Sequence, residues 1–197
     1  MANPNVGMMY PVFAPITAET EGSLPTYGTG VVIQEARNCT ITKTYADNPL
    51  YGDDRIVDDD NGLQSMTVSF ESTGLSDADR VLLFGEEELS IGGITALVES
   101  DNETPWGGFG YVRKMRDNGE RRYEAWIILK VKFQEESQAT NTKEGSISWG
   151  TPTLNGRAAG LYIDSTGKQR FRVHETFDTV TAAKAWLNTV LNVSATT

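Results

Sequence analysis

The chain has 197 residues, 27 acidic against 17 basic side chains, a net charge of −10, one Cys and one His. Its length suits one domain, and its 39 % apolar content suits a packed core rather than disorder. A single Cys excludes an internal disulfide framework and any multi-Cys zinc site, and a single His leaves no His/Cys metal cluster within one subunit. The acidic balance argues against a protein whose main task is to grip nucleic acid or an anionic membrane.

The N-terminal text MANPNVGMMYPVFAP has neither a basic n-region nor a continuous apolar h-region, so no secretory signal is expected. No membrane span is expected either, because the longest apolar run, Ala125 to Leu129, falls far short of the roughly 20 residues one needs. Residues 1–29 contain Pro4, Pro11, Pro15 and Pro25 and read as an extended, irregular arm. Strand-like text rich in Val, Ile and Thr follows at Gly30–Gln34 and Cys39–Tyr45. Residues 46–62, ADNPLYGDDRIVDDDNG, hold six Asp and one Arg and read as an acidic assembly loop. A local charge of −5 must be solvated or paired with another chain.

Gln64–Phe70 alternates as a half-buried strand with Met66, Val68 and Phe70 on one face. A short helix fits Asp77–Phe84, with Ser76 as N-cap, Asp79 completing a capping box and Gly85 as the stop. Its apolar stripe is predicted to be Ala78, Val81 and Leu82. Another strand fits Ile91–Val98.

Between Gly108 and Gln134 the dipeptide Asn118-Gly119 signals a two-residue hairpin turn. That turn pairs Arg113 with Glu124, Tyr111 with Trp126 and Phe109 with Ile128 across the ladder. On the opposite face Tyr123, Ala125, Ile127, Leu129, Val131 and Phe133 recur at every second position. One apolar face serves the core, and the other needs a helix or a neighbouring subunit as cover. A polar linker (134–144) precedes predicted strands at Ser146–Trp149 and Arg157–Ile163, a turn at Ser165–Lys168 and a strand at Gln169–Phe177. A closing helix near 179–192, capped at Asp178/Thr179, carries Ala183, Trp186, Leu187, Val190 and Leu191 on one stripe. The class is mainly β (α+β), a β-sandwich or partial barrel with two helices, forming one domain over 1–197.

Gly108-Phe109-Gly110-Tyr111-Val112 looks like the centre of an RNA-recognition octamer, but Gly107 and Lys114 stand where a basic and an aromatic residue belong. It reads instead as a glycine-punctuated strand. Asp58-Asp59-Asp60-Asn61-Gly62 hints at a calcium loop, yet aligning Gly62 with the sixth position puts Val57 and Val68 at ligand positions one and twelve. Ser148 lacks the first Gly of a nucleophile elbow, His174 falls on a polar strand face beside Arg170 and Arg172, and Cys39 alternates with Ile41 as a small core residue. No Gly-rich phosphate loop follows Gly28-Thr29-Gly30. No enzyme activity, cofactor or metal is expected.

Several segments together resemble the major tail protein (tail tube protein) family of siphophages: ITKTYADNPLYGDD at Ile41–Asp54, GLSDADRVLLFG at Gly74–Gly85, the hairpin Gly107–Phe133, GSISWGTPTL at Gly145–Leu154 and FDTVTAAKAWLN at Phe177–Asn188. The resemblance implies a virion subunit that forms hexameric rings, which stack into the tube through which DNA passes at ejection without specific binding. It implies tape measure, tail terminator and distal tail proteins as partners, and a place in the virion tail after assembly in the host cytoplasm. Inter-subunit contacts are expected at Tyr51, Asp53, Asp54, Arg55, Asp58, Asp59 and Asp60, and at Trp126 and Ile128 on the second hairpin face. The alternatives are a head–tail joining or tail terminator protein, and a carbohydrate-binding β-sandwich with Trp and Tyr as stacking platforms.

Overall fold

A computed structural model describes residues 5–33, 35–101, 103–117, 119–137 and 151–194. From the N-terminus, β1 (Asn5–Ala18) is followed by short β2 (Thr26–Tyr27) and β3 (Val31–Val32), then by β4 (Ala36–Tyr45). A hairpin of β5 (Asn48–Gly52) and β6 (Arg55–Asp60) precedes β7 (Leu63–Ser72). Helix α1 (Asp77–Phe84) leads into a second hairpin, β8 (Glu87–Ile91) and β9 (Ile94–Val98). The long pair β10 (Gly107–Asp117) and β11 (Glu120–Ser137) comes next, then β12 (Thr153–Ala158), β13 (Arg172–Phe177) and helix α2 (Val180–Val190). The mainly β class stands, as a sheet with two helices packed on it. The linker at 138–144 and the strand expected at Ser146–Trp149 lie outside the described residues.

The main sheet runs β2-β1-β10-β11-β12-β7-β4, with β3 also paired to β1 and β13 to β11. Every named pairing in it is antiparallel. Because β3 holds β1 while β4, continuing the same stretch, holds β7, the sheet curls back on itself as a partial barrel. The Ile33 amide, which donates to the Pro11 carbonyl at 2.9 Å, fastens that closure.

Residues 5–18 are not an irregular arm. They form β1, paired along β10, with Val12, Phe13 and Ala14 fully buried. The prolines are accommodated because they are used as acceptors, where a missing N–H costs nothing. Pro11 sits at a register shift between Met9 and Val12, beside Tyr10 at φ 57°, and the Pro15 carbonyl accepts from the Gly28 amide at 2.8 Å.

The hairpin register expected from the turn is observed: Arg113 faces Glu124, Tyr111 faces Trp126 and Phe109 faces Ile128. Asn118 lies outside the described residues, and Gly119 has φ 88° as a turn of this kind needs. The single-parity apolar stripe on β11 is not observed. A register shift between Gly107 and Phe109 on β10 flips the alternation along β11. Ala125, Ile127 and Leu129 face one core, while Val131 and Phe133 join Trp126 and Ile128 on the other. At the same place β11 exchanges partners, from β13 along Tyr123–Ile128 to β12 from Val131 onward.

Both faces of the long hairpin are therefore covered by the chain itself. Inside the barrel Phe109 packs against Phe70 (ring centroids 5.1 Å apart), Phe133 (5.2 Å) and Tyr111 (5.9 Å), with Met66, Val68 and Leu154 beside them. On the outer face α2 and its C-cap residue lay Ala183, Leu187 and Leu191 over Val112, Ala125, Ile127 and Leu129. Glycines let the helix approach. A Cβ at Gly108 would lie 2.6 Å from Leu191 and from Tyr27, and one at Gly110 would lie 2.8 Å from Leu191. That close approach is the reason for the glycine-punctuated text of β10.

Helix α1 has the expected bounds. The Asp79 amide donates to Ser76 Oγ at 3.2 Å, the Ser76 amide donates to Asp79 Oδ2 at 2.9 Å, and Gly85 adopts the left-handed cap. Its inward face differs from the expected stripe: Leu83 and Asp79 are buried, Leu82 and Phe84 pack on the core edge, and Ala78 and Val81 are exposed. The strand expected at Ile91–Val98 is split by a turn at Gly92-Gly93, both with positive φ, and so becomes half of a hairpin. The expected strand over 157–163 ends at Ala158, and Leu161 makes only an isolated bridge to Arg170. β13 begins at Arg172 rather than Gln169, after a turn in which Gly167 has φ 68°. Helix α2 starts from Thr179, whose hydroxyl accepts from the Ala182 amide at 3.2 Å.

Candidate assembly surface

Trp126 and Ile128, expected to meet a neighbour, do not offer that surface. Ile128 is 1 % exposed within the barrel core, and Trp126 is 9 % exposed. The indole N–H donates to Glu124 Oε2 at 2.9 Å, and Arg113 Nε donates to the same carboxylate at 3.0 Å. His174, directly opposite Trp126 in the β11–β13 ladder, stacks on its ring at 4.2 Å with an 11° tilt, and the Arg172 guanidinium lies 4.3 Å from the ring centroid. The chain's own strand β13 thus covers Trp126 with exposed His174 and half-buried Arg172. The alternation of Trp126 alone could not reveal that cover, because the pairing joins residues far apart in sequence.

The acidic segment is a hairpin rather than a loop. Asn48 pairs with Asp60, Pro49 with Asp59, Leu50 with Asp58, Tyr51 with Ile56 and Gly52 with Arg55. The connection is the dipeptide Asp53-Asp54 with φ 49° and 61°, the two positive values that a type I′ turn requires. Aspartate tolerates this conformation better than most residues, and its carboxylate remains in solvent. The Ala46 amide closes the base on the Gly62 carbonyl at 2.7 Å. Tyr51 (67 % exposed) and Ile56 (58 %) form a cross-strand apolar pair on an otherwise acidic element, with Leu50 and Val57 also exposed. Tyr51, Asp53, Asp54, Arg55 and Asp58 are all exposed, so the structure brings the expected contact residues of 51–60 together on one protruding element.

The β8–β9 hairpin was not foreseen as a surface feature. Its pairings place Glu87, Leu89, Ile91, Ile94, Ala96 and Val98 on one face. Leu89, Ile91 and Ile94 are 55 %, 57 % and 72 % exposed, an apolar sheet face without cover in the monomer.

The tip of the β10–β11 hairpin has the opposite charge. Arg116 stands directly opposite Arg121, Lys114 opposite Tyr123 and Met115 opposite Arg122. Lys114, Arg116 and Arg121 are exposed and make no salt bridge among the described residues, whereas Arg122 binds Asp178 and Glu120. A cleft of about 220 Å³ opens here, lined by Met115 and Tyr123 as well as by Lys114, Arg116, Arg121 and Arg122.

A larger polar groove of about 690 Å³ crosses the outer face of β4, β7, β12 and β11 beside Trp106. Its indole already carries Lys130 at 5.1 Å and Lys132 at 5.4 Å, and these lysines bind Glu19 and Glu103. With Trp126 under His174 and Trp186 against Phe177, the described Trp rings are occupied by the chain's own groups. Burial against the barrel pushes the Cys39 thiol and the Tyr111 phenol up to about 12, and burial also raises Tyr27, whose hydroxyl donates to the Leu129 carbonyl at 2.7 Å. Hydrogen bonds from Thr166 and Arg170 hold Asp164 down at about 2. Among the described residues, no group of three or more His, Cys, Asp or Glu could hold a metal ion, and no helix is long and apolar enough to cross a membrane.

No protein-family model matches the chain, and no curated protein matches it. Among solved structures, it is similar to a chain in the cryo-EM structure of the anti-feeding prophage (AFP) baseplate, 6-fold symmetrised. That likeness covers 89 % of this chain and 97 % of the other, at 12 % identity and a TM-score of 0.38. Likeness of that degree assigns neither family nor function.

Proposed function

We propose that this chain is a structural subunit of a phage tail tube, which assembles into hexameric rings that stack around a DNA conduit. The observation that carries the reading is the pair of protruding hairpins: Tyr51 and Ile56 on one, Leu89, Ile91 and Ile94 on the other, all more than half exposed. A monomer leaves such apolar elements to solvent at a cost in solubility, and a ring subunit covers them with its neighbours. The ordered segment resemblance at 41–54, 74–85, 107–133 and 177–188 supports the same reading.

In this role the excess of acids is part of the mechanism. A cationic lining would hold duplex DNA by counterion release at every ring. An acidic lining keeps it mobile, with repulsion effective within about 8 Å at physiological salt. A tape measure protein, a tail terminator and distal tail proteins would set the length and the ends of the tube. Electron microscopy of the purified protein at high concentration across a salt series tests the reading. Tubes or stacked rings are expected, single rings that never stack would assign a joining or terminator role instead, and uniform monomers would overturn it.

A further inference from the structure

Two like-charged residues directly opposite each other on a sheet oppose the fold. The Arg116–Arg121 pair does so at an exposed hairpin tip, with Lys114 two residues away on the same face. The cleft they frame is predominantly cationic, and Tyr123 lies on the same strand face as Lys114, Arg116 and Arg121 as its exposed-side apolar group. The β5–β6 hairpin is its complement, with Asp53 and Asp54 at the turn and the exposed Tyr51–Ile56 pair just behind.

Register shows how these two features are placed. Gly107 lies opposite Val131, Val131 opposite Ala158, Ala158 opposite Met66 and Met66 opposite Lys43. Since every neighbour is antiparallel, moving along β10 toward Asp117 is moving along β7 back to Leu63 and along β4 on to Tyr45. The cationic tip and the acidic hairpin therefore leave the same end of the sheet, from strands well separated in its order. A contact between them in two copies joins neighbours side by side, and such a heterologous contact makes a ring when its rotation closes.

We propose that the cleft at the β10–β11 tip receives the acidic β5–β6 hairpin of the adjacent copy of this chain. The proposal rests on the self-assembly reading and names its partner surfaces. Opposite potentials would steer the approach and fix the register, while Tyr51 and Ile56 settle on Tyr123.

Charge reversal on the full chain tests it by sedimentation velocity at low salt. The tip variant carries Arg116→Glu and Arg121→Glu, and the hairpin variant carries Asp53→Lys and Asp54→Lys. Each alone should lose self-association by about tenfold or more, because like charges across a contact oppose it. An equimolar mixture should restore association, since each variant then meets only the opposite charge on the other. Neutral variants, Arg116→Gln with Arg121→Gln and Asp53→Asn with Asp54→Asn, preserve the turn and should weaken association while leaving the circular dichroism unchanged. If wild type assembles and the reversed variants assemble equally well, the cleft–hairpin contact is wrong and the self-assembly reading stands. If wild type and mixture both remain monomeric at all salt concentrations, both fall. Retention of wild type by duplex DNA, lost in the tip variant with self-association intact, would assign the cleft to phosphate and overturn the proposal.

Discussion

The long β10–β11 hairpin and the two short ones, β5–β6 and β8–β9, all expose apolar side chains when considered as isolated ribbons. In the folded chain their fates diverge. The long hairpin has the curled sheet on one face and α2 on the other, so Phe109, Ile127 and Ile128 are essentially inaccessible. The short hairpins pair only with themselves in the strand network, and Leu50, Tyr51, Ile56, Leu89, Ile91 and Ile94 remain more than half exposed. Apolar alternation thus marks a face that needs cover, and only the fold tells whether the chain or a neighbour supplies it.

The largest expected effects lie on the covered side. Phe109→Ala should cost about 3–5 kcal/mol in urea unfolding, and Leu187→Ala under α2 about 2–5 kcal/mol. Ile94→Ser, on the uncovered side, should move stability by no more than about 0.5 kcal/mol while weakening self-association seen by light scattering. Equal destabilisation by Phe109→Ala and Ile94→Ser would break the contrast.

The Glu124 cluster sharpens it next. Glu124→Gln leaves Arg113 without its carboxylate beneath Trp126 and should cost about 1–3 kcal/mol, read from denaturant midpoints and the tryptophan emission. Alkaline titration tests the barrel interior. The fold holds Cys39 and Tyr111 in their neutral forms, raised from 9.0 and 10.0 to about 12. Their contribution to stability is complete below pH 9 and is lost progressively as the pH rises toward about 12. Cys39→Ala should flatten the part of that loss between pH 9 and 10, where the unfolded thiol ionises first. The smallest effect is at the acidic turn: Asp54→Gly relieves a positive φ and should slow amide exchange in β5–β6 by an amount equivalent to about 0.5 kcal/mol. Unchanged exchange would show that the turn carries no strain.

Local chemistry was legible wherever a signal and its consequence lie within a few residues. Ser76, Asp79 and Gly85 delimit α1 because caps satisfy the orphan backbone groups of the first and last turn. Asn118-Gly119 sets the register of the long hairpin because turn length fixes which residues face each other. Gly92-Gly93 is a two-residue turn of the same kind, and at Asp53-Asp54 the acidic composition hides a two-residue turn from a reading of charge alone. The prolines of β1 misled because their compatibility depends on which backbone groups the neighbouring strands need, and Pro11 and Pro15 are needed only as acceptors.

The mainly β class, both helices, the central register and the concentration of acids at 46–62 are all readable from the residues alone. These follow from local propensity, caps and turn geometry. Which apolar faces are covered, the register shift that flips Val131 and Phe133 into the barrel, and the place of Trp126 under His174 emerge from the fold. Each of these depends on strand pairings between distant residues, and burial belongs to the partners a face acquires rather than to the face alone.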